Sequence, residues 1–339
     1  MTNHPVNEQL TKAQVINRYL KPKLAVKESA DAFASSNIAL CKYWGKRNGE
    51  LNLPVNSSIS ISLGHLGSHT HISLSDTNED QVRLNNQALA LDSSFSKKVL
   101  NFVNLFRRDQ KIPLIIDTRN NIPTAAGLAS SASGFAALML ALNDFFDLQL
   151  DKTVLSAFSR MGSGSASRSI YSGFVRWNMG VDEDGMDSCA TQLETQWPTF
   201  CIGLIKVSTT QKPVDSRTGM NRTIETSHLY NSWPQQAAED LTSIESAIFS
   251  QDIEQLGACA EKNAMSMHAT MISAWPPLVY WLPESLAVMH KVWQLREAGV
   301  SVYITMDAGP NIKLLFEEQQ LSVLEAEFST MEVVRPFAK

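Results

Sequence analysis

Hydrophobic and polar positions repeat with two different periods along the chain. Residues 59–63 (ISISL) alternate apolar and polar side chains, which predicts a half-buried strand. Residues 94–107 repeat at helical spacing, which predicts a helix whose apolar face contains Phe95, Val99, Phe102, Val103 and Phe106. Residues 134–146 are strongly apolar and rich in Ala and Leu, so we expect a buried helix there.

Shorter patterns indicate the remaining elements. They predict strands at 71–74, 81–84, 113–116, 171–177, 199–207, 300–306 and 312–316. They also predict helices at 237–250, 253–267, 284–298 and 321–328, a loop of small residues at 163–169 and a surface turn at 182–187. Strands and helices alternate without a regular βαβ rhythm, which favours an α+β fold over a doubly wound sheet.

The length of the chain suggests two lobes. Its 339 residues exceed the usual span of one compact domain, and 44% of them are hydrophobic, enough for substantial cores. We place the change of lobe at the strand 199–207, which gives an N-terminal lobe at 28–205 and a C-terminal lobe at 206–339. Residues 1–27 are interpreted as an N-terminal extension, with at most a short helix, outside the two lobes.

Composition and charge narrow the functional classes. The net charge is −5 and the Lys and Arg residues are spread out, which argues against nucleic-acid binding but leaves room for a local basic pocket. Four cysteines without metal-type spacing fit a reducing cytoplasm. The polar N-terminus does not resemble a signal peptide, and no apolar run approaches the roughly 18 residues of a membrane span. We therefore expect a cytoplasmic protein without a membrane partner.

A loop of small residues at 123–134 (PTAAGLASSASG) lies between a predicted strand and the predicted buried helix. Small side chains let backbone N–H groups approach phosphate oxygens, the serine hydroxyls add donors, and the start of the helix favours an anion. The loop is neither a Walker loop nor the dinucleotide pattern GxGxxG. Considered alone, it fits a phosphate loop and a tight turn before a close-packed helix equally well.

Three further clusters carry charged side chains. Lys42 and Lys46 are four residues apart, so in a helical turn they would share a face and need an anion, unless they are merely solvated. Arg168 ends a run of small and hydroxyl residues and can bind a carboxylate or phosphate with two prongs, or pair with an acidic neighbour. Asp307, fixed before Ala-Gly-Pro-Asn, can orient a hydroxyl or form an Asx turn. Together these clusters predict one anion-binding cleft.

Several segments resemble the mevalonate diphosphate decarboxylase family. The loop 123–134 is similar to the ATP loop of the GHMP kinase superfamily, to which that family belongs. The narrower resemblance lies in segments 37–63 (NIALCKYWGKRNGELNLPVNSSISISL), 162–177 (GSGSASRSIYSGFVRW), 306–313 (MDAGPNIK), 212–220, 226–233 and 261–271. It implies a two-lobed GHMP kinase fold, with a ribosomal protein S5 domain 2-like, ATP-binding N-terminal lobe and a ferredoxin-like C-terminal lobe.

The resemblance also implies a reaction. ATP phosphorylates the tertiary 3-hydroxyl of mevalonate 5-diphosphate, after which phosphate and carbon dioxide leave and isopentenyl diphosphate forms, a step of isoprenoid biosynthesis. The tertiary alcohol is a poor leaving group, so phosphorylation lowers the barrier, and the neighbouring carboxylate then supplies the electrons. A site that holds so many anionic groups needs many cationic and hydrogen-bond donors. ATP as co-substrate, Mg²⁺ and a homodimer are further expectations from the family.

Site residues are assigned by their position in these motifs. Asp307 should contact the 3-hydroxyl, Lys42 should keep that carboxylate ionised, and Arg168 should bind the substrate carboxylate. The implied substrate-binding residues are Tyr43, Trp44, Gly45, Lys46, Ser163, Gly164, Ser165, Ala166, Ser167, Arg168, Ser216 and Arg217. The implied ATP-binding residues are Gly127, Leu128, Ala129, Ser130, Ser131 and Ser133. The sequence identifies no ligand for Mg²⁺.

Two positions depart from the family pattern. Asp215 replaces a small hydroxyl residue, so its carboxylate must turn away from a diphosphate or pair with Arg217. Arg176 replaces an acidic residue and is expected to be peripheral. His69 and His71 share a strand face without a third ligand at zinc-like spacing, so we interpret them as surface residues.

Three alternatives to this function belong to the same superfamily. One is a mevalonate 3-kinase that stops after phosphorylation, and a second is a decarboxylase of the monophosphate. The third is a catalytically silent binding homologue. The complete set of Lys42, Arg168 and Asp307 favours the decarboxylase, and Lys46 and Arg217 favour a diphosphate substrate.

Overall fold

The computed structural model describes residues 9–122, 130–208, 210 and 213–338. Their strands are β1 Ser29–Cys41, β2 Lys46–Asn48, β3 Leu53–Pro54, β4 Ser58–Leu74, β5 Gln81–Leu84, β6 Gln87–Leu89, β7 Leu114–Asn120, β8 Phe174–Trp177, β9 Ala190–Gln192, β10 Phe200–Ile205, β11 Val302–Met306, β12 Ile312–Glu317 and β13 Glu332–Val334. Their α-helices are α1 Lys12–Asn17, α2 Ser94–Arg107, α3 Ser130–Phe145, α4 Lys152–Gly162, α5 Ser216–Thr226, α6 Trp233–Ser250, α7 Ile253–Ile272, α8 Pro283–Glu297 and α9 Leu321–Glu327. The predicted α+β class is confirmed.

The first sheet is organised around the long strand β4. Its order is β6-β5-β7-β4-β8-β9, and β1 also pairs with β4. The first part of β4 pairs with β8 and the later part with β7, while β1 runs antiparallel along most of its length. The predicted strands at 59–63 and 71–74 are therefore parts of a single strand. Their pairing brings the end of β1 and the end of β8 to the same region of the sheet.

The segment 59–63 is buried on both faces, so the prediction of a half-buried strand is wrong. On one face, Ile59 and Ile61 belong to a core that includes Leu241 of α6. On the other face, Ser58 and Ser60 are fully buried as well. The sheet is covered on both sides at this point, because α3 packs against β1 and β4 as α6 does. The serine positions therefore point into the protein, where one of them meets a functional side chain.

The second sheet is antiparallel and has the order β11-β12-β10-β13. Strand β10 pairs with β12 and β13, so it belongs to this sheet although the predicted lobe boundary at 205 assigned it to the first lobe. Helix α7 packs against β11 and β12 and also against β1 of the first sheet. The two sheets are thus connected through α7, next to the ends of β1 and β11.

The N-terminal segment packs against the first lobe, so the prediction of an extension outside the lobes is wrong. Val15 and Ile16 of α1 are fully buried in the same core cluster as Leu51, in the turn of the β2–β3 hairpin, and Leu53, the first residue of β3. A capping box at Thr11 begins the helix. Because most residues of this segment are polar, its composition gave no indication of the short apolar face that Val15 and Ile16 form.

This packing predicts that the N-terminal segment contributes to stability. We expect Ile16→Ala to lower the free energy of unfolding by about 3 kcal/mol, because it removes a fully buried side chain and leaves a cavity. Urea denaturation measures the effect, with the exposed neighbour Asn17→Ala as the matched control. Equal midpoints for Ile16→Ala and the wild type would contradict the packing.

In the part of the chain that the structure describes, no helix is both long enough and apolar enough to cross a membrane.

Candidate active site

Asp307 lies between two lysines from different parts of the chain. It follows β11 directly, and Lys313 is the second residue of β12, across a tight turn; Lys42 follows β1 of the first sheet. The Nζ atom of Lys42 lies 3.0 Å from Oδ1 of Asp307, and the Nζ atom of Lys313 lies 3.2 Å from Oδ2. Both lysine side chains are 2% exposed, whereas the Asp307 side chain is 33% exposed and can therefore be reached by a ligand.

The two ammonium groups set the ionisation of Asp307. Burial alone would raise the pKa of this carboxyl group, but Lys42 and Lys313 outweigh burial and hold the pKa well below its usual range. His268 of α7 lies 3.1 Å from the main-chain carbonyl of Asp307, and burial lowers the pKa of this imidazole to about 3. The neutral ring can therefore donate a hydrogen bond to the carbonyl and hold the turn. The centre is an ionised carboxylate between two buried cations.

Lys42 and Lys46 do not share a helical face, so that prediction is wrong. The chain leaves β1 at Lys42 and enters β2 at Lys46, without a helix between them. The Lys42 ammonium group also donates to the carbonyl of Ala39 at 2.7 Å, whereas Lys46 donates to Oδ1 of Asn52 at 2.6 Å. The two lysines therefore serve different parts of the site.

Arg168 is a buried cation without a carboxylate partner among the described residues. It lies in the 3₁₀ helix Gly164–Ile170, where the sequence predicted a loop, and is 3% exposed. Its Nη1 donates to Oγ of Ser58 at 2.6 Å, its Nη2 lies 3.3 Å from Oδ1 of Asn37, and the group stacks over Trp177. Burial lowers the pKa of Arg168 to about 10, so it stays charged at neutral pH. A buried, oriented guanidinium of this kind can bind an incoming carboxylate.

Glycines allow a close approach of chain segments around Tyr43. Gly45 has φ +122°, and a Cβ atom there would lie 1.7 Å from the hydroxyl of Tyr230. A Cβ atom at Gly164 would lie 2.8 Å from the Tyr43 ring. The Tyr43 hydroxyl is buried and has no hydrogen-bond partner among the described residues, so it can donate to a ligand. Trp44, by contrast, packs into the core and is 2% exposed.

The predicted serines divide into two groups. The first group is Ser131, Ser163 and Ser165. The Oγ atom of Ser163 lies 3.4 Å from Oγ of Ser131 at the start of α3 and 3.5 Å from Oγ of Ser165. Ser167 and Ser133 face the interior instead: Ser167 bonds to Ser156 at 2.9 Å, Ser133 bonds to Ser68 at 2.7 Å, and the neighbouring Ala166 is fully buried. Of these five serines, only Ser131, Ser163 and Ser165 can offer their hydroxyls to a ligand.

The predicted ATP loop is described only in part. Ser130 and Ser131 are exposed in the first turn of the 16-residue helix α3, a position at which backbone N–H groups favour an anion. Gly127, Leu128 and Ala129 lie outside the described residues.

Asp215 begins helix α5, which carries Ser216 and Arg217. Its Oδ1 accepts from the backbone N–H of Arg217 at 2.9 Å and its Oδ2 accepts from the hydroxyl of Thr218 at 2.7 Å. The hydrogen bond from Thr218, opposed by burial, helps to lower the pKa of Asp215. The carboxylate is therefore an N-cap for α5 and a backbone partner of Arg217, which explains how an acidic residue is tolerated here.

Sequence reasoning missed two groups that position Lys42 and Asp307. The first is Lys313, a charged residue in the otherwise apolar strand IKLLF, which was the signal for it. The second is Asn263 of α7, whose Oδ1 accepts from the backbone N–H of Lys42 at 2.8 Å. Asn263 in turn donates to Asp240 at 2.9 Å, and Asp240 is 1% exposed. No local pattern could have indicated this second contact.

Other charged side chains lie away from this centre. Arg176 pairs with Glu245 at 2.7 Å, and His69 and His71 both contact Asp31 on exposed parts of the first sheet. Across the described ranges, no three His, Cys, Asp or Glu side chains form a group that could hold a metal ion.

Family models match both parts of the chain. The diphosphomevalonate decarboxylase-like N-terminal domain matches residues 34–190, and the mevalonate 5-diphosphate decarboxylase C-terminal domain matches residues 202–334. A diphosphomevalonate decarboxylase of Candida albicans is 36% identical over 306 residues, which cover 86% of this chain and 84% of that protein.

Solved structures give the same result. The mevalonate diphosphate decarboxylase of Staphylococcus aureus is 38% identical, with a TM-score of 0.84 over 92% of this chain and 96% of that one. A related structure, described as a complex with MVAPP, AMPPCP and magnesium, is 39% identical with a TM-score of 0.84, and covers 91% of this chain and 96% of that one. The predicted GHMP kinase fold is thereby confirmed, and the chain belongs to the diphosphomevalonate decarboxylase family.

Proposed function

We propose that this enzyme converts mevalonate 5-diphosphate and ATP into isopentenyl diphosphate, ADP, phosphate and carbon dioxide, with Asp307, Lys42 and Arg168 as its catalytic residues. The observation that carries the proposal is the ionised Asp307 carboxylate, held by Lys42 and Lys313 and open to a ligand. Arg168 adds a buried cation that hydrogen-bonds to Ser58 and Asn37 and has no carboxylate partner among the described residues. A substrate with both a hydroxyl and a carboxylate on one carbon skeleton fits these two groups.

Asp307 orients the 3-hydroxyl for phosphoryl transfer. Its depressed pKa makes it a weak base, so we assign it chiefly to accepting a hydrogen bond from the hydroxyl and aiming the oxygen at the γ-phosphorus atom. As the new O–P bond forms, the hydroxyl proton passes to the Asp307 carboxylate and from there to water, and Lys42 stabilises the negative charge that gathers around the oxygen. Phosphoryl transfer needs mainly this positioning and charge stabilisation, since its transition state is loose.

Arg168 holds the substrate carboxylate until it departs. The C3–O bond breaks with both electrons going to phosphate, which leaves cationic character at C3. The C–C bond to the carboxylate then supplies its electron pair to the new double bond, and carbon dioxide is released. Since Arg168 is fixed by Ser58 and Asn37, it can keep the carboxylate aligned with the breaking C–O bond.

The diphosphate arm extends towards Lys46 and α5. We assign its binding to Tyr43, Lys46, Ser163, Ser165, Ser216 and Arg217, with main-chain contacts from Gly45 and Gly164. Burial lowers the pKa of Lys46 to about 8, and Arg217 adds to this, so an anion between them would favour the charged lysine. The buried Trp44, Ala166 and Ser167 support the shape of this wall rather than offer side-chain donors.

The nucleotide phosphates are assigned to the segment 127–133, with Ser130 and Ser131 as hydroxyl donors. These exposed hydroxyls, at the first turn of a long helix, also fit a hydrated Mg²⁺ held mainly by the phosphates themselves. When bound, Mg²⁺ would neutralise phosphate charge during transfer. The N-terminal lobe is thus proposed as the ATP-binding lobe.

We also propose that the enzyme acts in the cytoplasm as a homodimer. Three cysteines are buried and all four are free, which suits a reducing compartment. Trp275 and Val279 are exposed by 74% and 59%, and such apolar side chains fit a protein contact. Light scattering on the purified protein would show twice the chain mass if the dimer forms, and the single chain mass if it does not.

The overall reaction can be tested by its stoichiometry. With ATP, Mg²⁺ and mevalonate 5-diphosphate, we expect the purified protein to release ADP, phosphate and carbon dioxide in equal amounts. ADP without carbon dioxide would assign the protein to the 3-kinases, and faster turnover of the monophosphate would assign it to the monophosphate decarboxylases. Absence of turnover with every mevalonate derivative would indicate a silent binding homologue.

A further inference from the structure

Lys12 lies beside the part of the site assigned to the diphosphate. It is the first residue of α1, and its backbone N–H lies 3.3 Å from Oε1 of Glu50 in the turn of the β2–β3 hairpin. The same hairpin begins with Lys46, and its Asn52 accepts a hydrogen bond from Lys46 at 2.6 Å. The buried side chains of Val15 and Ile16 fix α1 against this hairpin. The position of Lys12 relative to Lys46 is therefore set by the packing of α1 against the hairpin.

The cations in this region outnumber their counter-ions. Arg217 and Arg160 act electrostatically on Lys12, and Arg217 and Lys12 act on Lys46. None of these four cations forms a salt bridge within 4.0 Å among the described residues. Arg160 is fully buried and donates to main-chain carbonyls, including that of Gly185 at 2.8 Å. Such a concentration of positive charge is unfavourable without an anion, and it attracts a multiply charged one.

Lys12 itself is half-buried, so it is only partly exposed to solvent. Burial lowers the pKa of Lys12, which Glu50 opposes, while Arg217 and Arg160 lower it further. The nearby carboxylate of Glu50 accepts from the Lys12 backbone and forms no salt bridge with its ammonium group. The ammonium group is therefore available to a ligand that also contacts Lys46 and Arg217.

We propose that Lys12, contributed by the N-terminal segment, binds the diphosphate group of the substrate and favours a diphosphate over a monophosphate. The proposal rests on the proposed function of the site. Lys12 precedes residue 34, where the match to the N-terminal family model begins, so the family model does not include this residue. The packed N-terminal segment would thus add a substrate contact to a site otherwise built from the two lobes.

We expect Lys12→Met to weaken binding of the diphosphate group and to leave the rate of the chemical step nearly unchanged. We expect the KM for mevalonate 5-diphosphate to rise about tenfold while kcat stays within about twofold, because the contact is the same in the ground and transition states. Lys12→Arg should restore most of the affinity, since it keeps the charge. Lys23→Met, which removes an exposed lysine of the same segment, is the matched control and should keep the wild-type KM.

Equilibrium binding separates this proposal from the proposed function. Calorimetric titration of mevalonate 5-diphosphate should give a Kd about tenfold higher for Lys12→Met than for the wild type, whereas mevalonate 5-phosphate should bind both proteins within about twofold. Equal Kd values for the diphosphate, or an equal weakening for both ligands, would overturn the role of Lys12 and leave the decarboxylase activity standing. If the wild type binds but does not turn over the diphosphate, the proposed function fails and the binding comparison still tests Lys12.

Discussion

Replacing Asp307 by asparagine should abolish nearly all turnover while ATP still binds. The variant keeps the shape of the side chain but removes the charge that accepts a hydrogen bond from the substrate hydroxyl. It also leaves Lys42 and Lys313 buried without their shared counter-ion, so either ammonium group can turn towards the substrate oxygen and misplace it. We expect kcat to fall by roughly 10³-fold or more, as for the loss of an orienting acid–base group.

Single-turnover measurement of ADP and carbon dioxide, with nucleotide binding measured separately, tests this expectation. The matched control is Asp215→Asn, another carboxylate-to-amide change next to the proposed site. Since asparagine can also cap a helix, α5 should persist and kcat should stay within about twofold. A kcat for Asp307→Asn within tenfold of the wild type would remove Asp307 from the mechanism. The melting temperature of each variant shows whether it is folded at the assay temperature.

The sequence pattern predicted an element correctly where residues within or next to that element determine its ends. Helix α2 was predicted with its observed bounds, 94–107, because its apolar spacing is regular and Ser93 caps its first turn. Strand β4 was split into two predicted pieces, since Gly64 and Gly67 interrupt the apolar pattern between them. The strand continues through both glycines because β1 pairs with it on either side of the interruption. Pairing partners of this kind cannot be derived from the segment itself.

The candidate catalytic residues could be proposed from motifs, but their geometry could not. Lys42 and Lys46 were expected on one face because spacing alone cannot show a sharp change of direction between them. That change occurs at Gly45, where the hydroxyl of Tyr230 approaches and donates to the carbonyl of Trp44 at 3.0 Å. Tyr230 lies 186 residues further along the chain, and only the assembled fold brings it there.

Lys313 was overlooked for a related reason. The pattern of residues 312–316 predicted only a strand and gave no position for the Lys313 side chain, which is 2% exposed and reaches back to the turn. The antiparallel pairing of β11 with β12 places Lys313 opposite Thr305 and within reach of Asp307. The carboxylate therefore has a second cationic partner in addition to the Lys42 that the motif implied.

This second partner leads to the other large effect, which we expect for Lys313→Met. The substitution removes one of the two charges that lower the pKa of Asp307. It also leaves Oδ2 without its lysine partner, so the carboxylate group can rotate. We expect kcat to fall by about 10²-fold, less than for Asp307→Asn, because Lys42 still holds the other oxygen at 3.0 Å. Lys313→Arg should recover part of the activity, and the exposed Lys97→Met should behave as the wild type.

The pH dependence distinguishes an electrostatic role of Lys313 from a purely structural one. In the wild type, the pKa of Asp307 is far below its usual range, so the carboxylate stays ionised until the solution is strongly acidic. Without Lys313 the pKa must rise, so protonation of Asp307 should begin at a higher pH and the acid limb of the kcat profile should move upward. The profile of Lys97→Met should keep the wild-type position. A loss of kcat in Lys313→Met with an unshifted acid limb would show that Lys313 only supports the turn, and an unchanged kcat would show that Lys42 alone is sufficient.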